Sequence, residues 1–108
     1  MLVMCDEQSP RAVALSAYCL KVEPSSIPAK VNYAAALINS ESFGAADLIL
    51  RDIDEAALSN AARNQLRFIK LKRAFKLRDK TEMIRLASLI DKSALYSVQL
   101  GWLTANSI

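Results

Sequence analysis

Residues 26–54 contain the pattern that most constrains the fold, because they read as two helices joined by a tight turn. Ser26 is a suitable N-cap, since its hydroxyl can accept a hydrogen bond from the first turn. From residue 27 to residue 38 the first helix is apolar over nearly its whole circumference, and only Asn32 and Asn39 mark a narrow polar line. A helix that is apolar all round is buried on several sides, so we expect a neighbouring helix before and after it.

The remaining periodicity predicts four more helices and an all-α fold. Five of the expected ranges are about 9–22, 27–39, 43–53, 60–77 and 94–105. The remaining helix is expected to follow a turn at residues 78–80 and to include Met83, Ile84, Leu86, Ala87 and Ile90. Ser93 is expected to cap the last of these, although the alternation from Tyr96 to Trp102 would also suit a strand. The predicted apolar face of the first helix consists of Ala12, Leu15, Tyr18, Cys19 and Val22.

An internal repeat with an offset of 37 residues supports a stack of hairpins. The segment Ile53–Leu58 matches Ile90–Leu95 at this offset, and Val31, Ala34 and Ile38 fall on Phe68, Leu71 and Phe75. The predicted order is therefore a lone second helix, two complete hairpins, and a lone first helix that closes the stack.

The spacing of small and aromatic residues resembles a tetratricopeptide repeat (TPR). The positions that carry the resemblance are Ala12, Pro24, Ala34, Phe43 and Ala46. Glu41 and Leu58 depart from it, because they stand where the repeat has glycine and proline. The resemblance implies a TPR-like stack of antiparallel helix hairpins with about six helices, forming a single domain over residues 9–108. Residues 1–8 are expected to be a flexible or partner-bound tail.

Composition indicates a cytoplasmic protein that is not an enzyme. A chain of 108 residues is the size of one domain, and no stretch has the roughly 20 apolar residues that a membrane span requires. The first residues lack the basic region of a signal peptide, and Cys5 and Cys19 are expected to be reduced. The chain has no His and no glycine-rich phosphate loop, so we expect no catalytic residues, no cofactor and no metal site.

The charge is divided unevenly along the chain. Residues 1–58 hold four basic and eight acidic side chains, whereas residues 59–108 hold ten basic and three acidic ones. Eight Lys and Arg residues lie in residues 63–80, which raises nucleic-acid binding as an alternative function. Because these residues are spread around several sides of the helix, we favour a solvated basic face and expect no tight binding of nucleic acid.

In TPR stacks the first helix of each hairpin lines a concave groove that receives a segment of a partner. Carried onto this chain, the resemblance places eight residues in the groove: Val31, Ala35, Ile38, Asn39, Phe68, Lys72, Phe75 and Lys76. Apolar residues rimmed by lysines would suit an amphipathic, partly acidic helix. For Phe68 and Phe75 the other interpretation is that they belong to the hydrophobic core.

Over residues 9–105, the length, helix count and pattern resemble the small TPR-type chaperones of type III secretion needle subunits. This resemblance implies a cytoplasmic chaperone or adaptor that holds an amphipathic helix of the needle subunit and so prevents premature assembly. It also implies a small helical co-chaperone as a second partner. The alternatives are a TPR adaptor of another pathway and a basic nucleic-acid-binding module.

Overall fold

The computed structural model describes residues 10–108, which form six α-helices and no strand. The helices are α1 (Pro10–Val22), α2 (Ile27–Asn39), α3 (Phe43–Arg51), α4 (Asn60–Lys76), α5 (Lys80–Leu89) and α6 (Ser97–Ala105). The prediction of an all-α fold with about six helices is confirmed. None of the helices in residues 10–108 is long and apolar enough to cross a membrane. The predicted tail, the predicted start of the first helix at residue 9 and the thiol of Cys5 lie outside the described residues.

The described chain divides into two compact units, with the boundary between Ala57 and Leu58. In the first unit, α2 packs against both α1 and α3, as its apolar circumference requires. Its second half is buried from Ala34 to Asn39. The Ser26 hydroxyl caps α2 by accepting from the Ala29 N–H at 3.2 Å, so the predicted start of the helix is confirmed. The prediction of a single domain over residues 9–108 stays a prediction.

In the second unit, α4 and α5 form a hairpin, and α6 contributes to the same core. The buried members of this core are Phe68, Leu71, Leu86, Ile90, Leu95 and Leu103. Half-buried Met83, Trp102 and Ile108 pack against them. The Ser59 hydroxyl caps α4 by accepting from the Ala62 N–H at 3.2 Å.

The 37-residue repeat appears in the structure as a recurrent connector between helices. Each copy begins with a buried isoleucine, Ile53 or Ile90, and continues through an aspartate into a short 3₁₀ turn. The Asp54 carboxylate accepts from the Ala56 N–H, and the Asp91 carboxylate accepts from the Ser93 N–H, both at 3.1 Å. The two connectors therefore share one local conformation, and the predicted repeat is confirmed at this level.

The alternate helices α2, α4 and α6 all end in the same hydrogen-bonded turn. The residue that follows the C-cap has a positive φ of about 60° in each case, at Glu41, Arg78 and Ser107. After α4, Arg78 N–H donates to the Phe75 carbonyl and Asp79 N–H donates to the Ala74 carbonyl. This is the pattern of a Schellman motif, which usually places glycine at the left-handed position. Here a residue other than glycine occupies that position after each of the three helices.

The predicted start of the last helix is wrong. Ser93 lies within the 3₁₀ turn Lys92–Ala94, and its hydroxyl donates to the Asp91 carboxylate at 2.6 Å instead of capping a helix. Helix α6 begins at Ser97, where the Gln99 side-chain oxygen accepts from the N–H of Tyr96 at 2.9 Å. The strand interpretation of residues 96–102 is also wrong, because these residues are helical from Ser97.

Candidate functional site

Three of the four predicted groove residues of α4 converge on Trp102 of α6 in the second unit. Phe68 and Phe75 lie on one face of α4, seven residues apart, and both meet the indole ring edge to face. The centroid distances to Trp102 are 5.8 Å for Phe68 and 5.2 Å for Phe75, with an interplanar angle of 79° in each case. This geometry is the favourable one for aromatic quadrupoles. The three rings therefore join α4 to α6.

Lys72 lies between the two phenylalanines along α4 and is buried, with only 4% of its surface exposed. Its Nζ is 5.4 Å from the centroid of the Trp102 ring and 5.9 Å from that of Phe68. A cation over an aromatic face is attracted by the negative charge of the π system, and the attraction grows when water is excluded. Lys72 is thus part of the aromatic cluster, and its charge is held inside the unit.

The structure separates the four predicted residues of α4 by their burial. Phe68 is 2% exposed and is part of the hydrophobic core, which agrees with the second of the two interpretations given for it from the sequence. Phe75 and Lys76 are half-buried near the end of α4. Their contact with a partner stays a prediction, and the half-exposed side chains are the ones that a partner can reach without unfolding the unit.

On α2, three of the four predicted residues are buried, namely Ala35, Ile38 and Asn39, whereas Val31 is half-buried. Asn39 is only 4% exposed, and its side-chain Nδ2 has no hydrogen-bond partner. A buried polar group without a partner costs about 1–3 kcal/mol. The α2 residues therefore include one buried donor that the first unit leaves without an acceptor.

Two amide side chains of α4 make contacts that the sequence interpretation missed. Gln65 and Gln99 exchange two side-chain hydrogen bonds, at 3.1 and 2.6 Å. Asn64 pairs with the backbone N–H and carbonyl of Asp91. The signal available in the sequence was the position of Asn64, four and seven residues before Phe68 and Leu71, which places an amide on their apolar face, where it must find partners.

The largest disagreement with the predicted packing is on α1. Within residues 11–22 of this helix, Ala12 and Ser16 are buried, and the Ser16 hydroxyl donates to the Ala12 carbonyl at 2.7 Å. These small side chains form the closely packed side of the helix. Leu15, Tyr18 and Val22 are instead exposed, to 37%, 64% and 60%. Their spacing of i, i+3 and i+7 places them on one face of the helix, which forms a continuous apolar stripe.

The charged residues within α1 are both basic. Arg11 and Lys21 are the charged residues of α1, and both are exposed. Half-buried Cys19 is a free thiol on the same helix. We call Leu15, Tyr18 and Val22 the α1 stripe. An exposed run of apolar side chains with a charged rim is typical of a protein-interaction surface.

An ion pair between Glu82 and Arg85 lies in α5 and shifts the pKa of Glu82. Arg85 donates to the Glu82 carboxylate from Nε at 3.0 Å, and Glu82 N–H donates to the Asp79 carboxylate at 3.2 Å. The hydrogen bond from Arg85 lowers the pKa of Glu82 below its ordinary value of 4.5. Burial opposes this shift, and the positive charges of Arg85, Lys70 and Arg73 support it.

Residues 10–108 contain no group of three or more Cys, Asp or Glu side chains that could hold a metal ion. Comparison of the chain with protein-family models, curated proteins and solved structures finds no match. The candidate surfaces are therefore interpreted from their own geometry.

Proposed function

We propose that this protein is a chaperone or adaptor that holds an amphipathic helix of a protein partner, and that its role is binding rather than catalysis. The observation that carries the proposal is the α1 stripe. Water contact with three large apolar side chains on one face is unfavourable by roughly 25 cal/mol per Å² of apolar surface, so covering them favours association. The shape of the surface, a single helix face, suits a second helix with its own apolar stripe.

Charge indicates the character of the partner helix. Because the exposed charges of α1 are Arg11 and Lys21, a partner with acidic residues beside its apolar face would be attracted and oriented. The proposed occupant is therefore a protein helix with one apolar face and an acidic polar face. Val31 in the first unit and, separately, Phe75 and Lys76 in the second unit are half-buried and stay predicted partner contacts.

The resemblance to type III secretion chaperones suggests which protein supplies this helix. On this proposal the partner is a needle subunit, held in the cytoplasm with a small helical co-chaperone until export. A subunit that assembles through an apolar helix needs that helix covered beforehand. A TPR adaptor of another pathway would use the same surface with a different cargo.

The nucleic-acid alternative has less support. None of the six basic side chains on α4 is fully exposed: Lys72 is buried, and Arg63, Arg67, Lys70, Arg73 and Lys76 are half-buried. Non-specific binding of nucleic acid requires several cations that can reach phosphates at once. Helix α4 presents its positive charge mainly through partly covered side chains.

A designed peptide tests the proposal. The probe is a fluorescein-labelled helix of about 18 residues, long enough to be stable, with Leu on one face and Glu on the other. Fluorescence anisotropy should show saturable binding to the full chain. The double variant Tyr18→Glu, Val22→Glu should weaken binding at least about tenfold, since it places two carboxylates in the apolar contact.

The matched control is Leu48→Glu, because Leu48 on α3 is 64% exposed, as Tyr18 is. This variant should bind the probe as the unchanged chain does. A scrambled peptide of the same composition should bind weakly, since it has no continuous apolar face. Equal binding of the scrambled peptide, or full binding by the α1 double variant, would overturn the proposal.

A further inference from the structure

The second unit contains a cleft of about 340 Å³ between the first half of α4 and the segment that follows α5. Arg63, Asn64 and Arg67 line it from α4, and Leu89, Asp91 and Ala94 line the opposite side. This volume is near the lower end of ligand-binding pockets, so the cleft can take one or two side chains. It is distinct from the α1 stripe, which lies in the first unit, and does not depend on the function proposed for that stripe.

The two arginines are held at the cleft by backbone contacts. Arg63 and Arg67 are four residues apart, so their side chains lie on successive turns of one helix face. The Arg63 guanidinium donates to the Leu58 carbonyl at 3.0 Å, and that of Arg67 reaches the Leu89 carbonyl at 3.5 Å. Both side chains are half-buried. Two planar cations are thereby positioned beside one concave surface, which is the arrangement that favours a carboxylate.

The opposite wall supplies a fixed frame and an apolar surface. The Asn64 side-chain amide makes two hydrogen bonds to the Asp91 backbone, at 2.8 and 3.0 Å. These bonds hold the opposite wall at a fixed distance from α4. One oxygen of the Asp91 carboxylate accepts from both the N–H and the hydroxyl of Ser93. Leu89, which is 43% exposed, and Ala94 give this wall an apolar surface. A ligand in the cleft therefore meets positive charge on one side and aliphatic side chains on the other.

We propose that this cleft binds an acidic-apolar peptide segment of a protein partner. A Glu or Asp carboxylate of the segment is held by Arg63 and Arg67, and a neighbouring aliphatic side chain packs on Leu89 and Ala94. Asp91 on the wall disfavours a doubly charged phosphate more than a singly charged carboxylate, because repulsion between like charges in one small cleft grows with the charge of the ligand. The apolar wall likewise fits a peptide side chain better than a nucleic-acid backbone.

The test uses the full chain and a blocked peptide, Ac-Leu-Glu-Leu-Glu-Leu-amide, followed by NMR of the backbone and side-chain amides. The matched peptide has Gln in place of both Glu residues. We expect shifts at the Asn64 side-chain amide and at the backbone amides of Leu89 and Ala94. The Glu peptide should bind at least about tenfold more tightly than the Gln peptide, since hydrogen bonds to charged groups are the stronger ones.

Variants separate the cleft from general charge attraction. Arg67→Gln should weaken binding of the Glu peptide about tenfold, whereas Arg51→Gln, an exposed arginine of the first unit, should leave it unchanged. Leu89→Glu places a carboxylate at the rim and should also abolish binding. Because Leu89 is partly exposed, this second variant keeps the test valid if Arg67→Gln perturbs folding.

Three results with the peptides and variants would overturn the inference. These are equal affinity for the Glu and Gln peptides, unchanged binding by both Arg67→Gln and Leu89→Glu, and shifts that map outside the cleft. Inorganic phosphate and a short single-stranded DNA serve as competitors. If either competitor displaced the Glu peptide at a concentration below the one at which the peptide half-saturates the cleft, the site would be one for phosphate instead.

Discussion

The side chain of Asn64 binds the backbone of Asp91 as a second peptide group would. Its Oδ1 accepts from the Asp91 N–H at 2.8 Å, and its Nδ2 donates to the Asp91 carbonyl at 3.0 Å. The start of the second connector is thereby fixed to α4. The residue one repeat earlier is Ile27, which has no side-chain amide, so the first copy of the connector cannot make this bridge.

Replacing Asn64 with Ala should lower the free energy of unfolding by about 2 kcal/mol, because two hydrogen bonds of roughly 1 kcal/mol each are lost. Urea denaturation followed by tryptophan emission measures this, since the chain's one tryptophan, Trp102, lies in the second unit. Asn60→Ala, an exposed position one turn earlier, is the control and should change little. An Asn64→Ala protein as stable as the original would contradict the bridging role.

Substitutions of the two phenylalanines in the aromatic cluster should lower the free energy of unfolding by different amounts. Phe68→Ala should cost about 3–5 kcal/mol of unfolding free energy, as expected for a fully buried ring. Phe75→Leu keeps most of the apolar volume and loses the edge contact with Trp102, so about 0.5–1.5 kcal/mol is expected. Tyr96→Leu, at an exposed position of the same unit, is the control in the urea titration. A larger loss for Phe75→Leu than for Phe68→Ala would place the core at the wrong end of α4.

Lys72 is expected to stabilise the second unit through its charge. Lys72→Met keeps a long apolar side chain and removes the cation from the Phe68 and Trp102 rings, so a loss of about 1–2 kcal/mol is expected. Lys72→Glu should cost more, because a buried carboxylate would face the negative side of the rings. Thermal unfolding followed by circular dichroism compares both with Lys80→Met, which is exposed. Equal stability of the Met and Glu variants would argue against the ring contacts.

The left-handed turn after α4 predicts a stabilising substitution. Arg78 has a φ of 58°, where a β-carbon is disfavoured and glycine is not. Arg78→Gly should raise the free energy of unfolding by about 0.5–1 kcal/mol, after allowance for the greater freedom of glycine in the unfolded chain. Arg78→Ala removes the same charge and keeps the β-carbon, so it should give no gain. A lower stability of Arg78→Gly than of Arg78→Ala would mean that the freedom of glycine in the unfolded chain outweighs the strain of a β-carbon at this position.

The ionised carboxylate of Glu82 should add slightly to the stability of the folded protein, and this contribution should be lost in acid. Its pKa is lowered in the folded protein by the hydrogen bond from Arg85, so the ionised carboxylate favours folding. This stabilisation is fully present above the ordinary value of 4.5 and is lost as the pH falls through the lowered value. The pair is partly exposed, so the effect should stay below about 1 kcal/mol. NMR titration should show a Glu82 pKa below 4.5 that rises in Arg85→Gln, and an unchanged pKa in that variant would reject the assignment.

Much of the fold could be predicted because the controlling interactions are local. Ser26 and Ser59 precede apolar runs and cap α2 and α4 through hydrogen bonds three residues ahead. The repeat predicted from Ile53 and Ile90 reproduces the connector conformation for the same reason, since each aspartate bonds two residues along the chain. Local rules of this kind are written in short stretches of sequence.

The accessible surface could not be predicted in the same way. Of the predicted apolar face of α1, Ala12 is buried and Cys19 is half-buried, whereas the three large side chains, Leu15, Tyr18 and Val22, are exposed. Helical periodicity identifies an apolar face but does not say whether a neighbour covers it. Likewise, Phe68 and Phe75 share a face of α4, and only their position along the helix makes one a core residue and the other half-buried.

The recurrent connector also bears on how such a chain could lengthen. Residues 53–89 comprise one connector, its capping serine, α4, a left-handed stop and α5, after which the next connector begins at Ile90. The turns at each junction are held by hydrogen bonds within a few residues, and the connector after α5 is also bridged to Asn64 of α4. The segment contains Asn64, so tandem duplication would supply both kinds of contact at the new junction. A gene encoding one additional copy should therefore yield a protein with two more helices, in which the duplication boundary requires no new turn sequence.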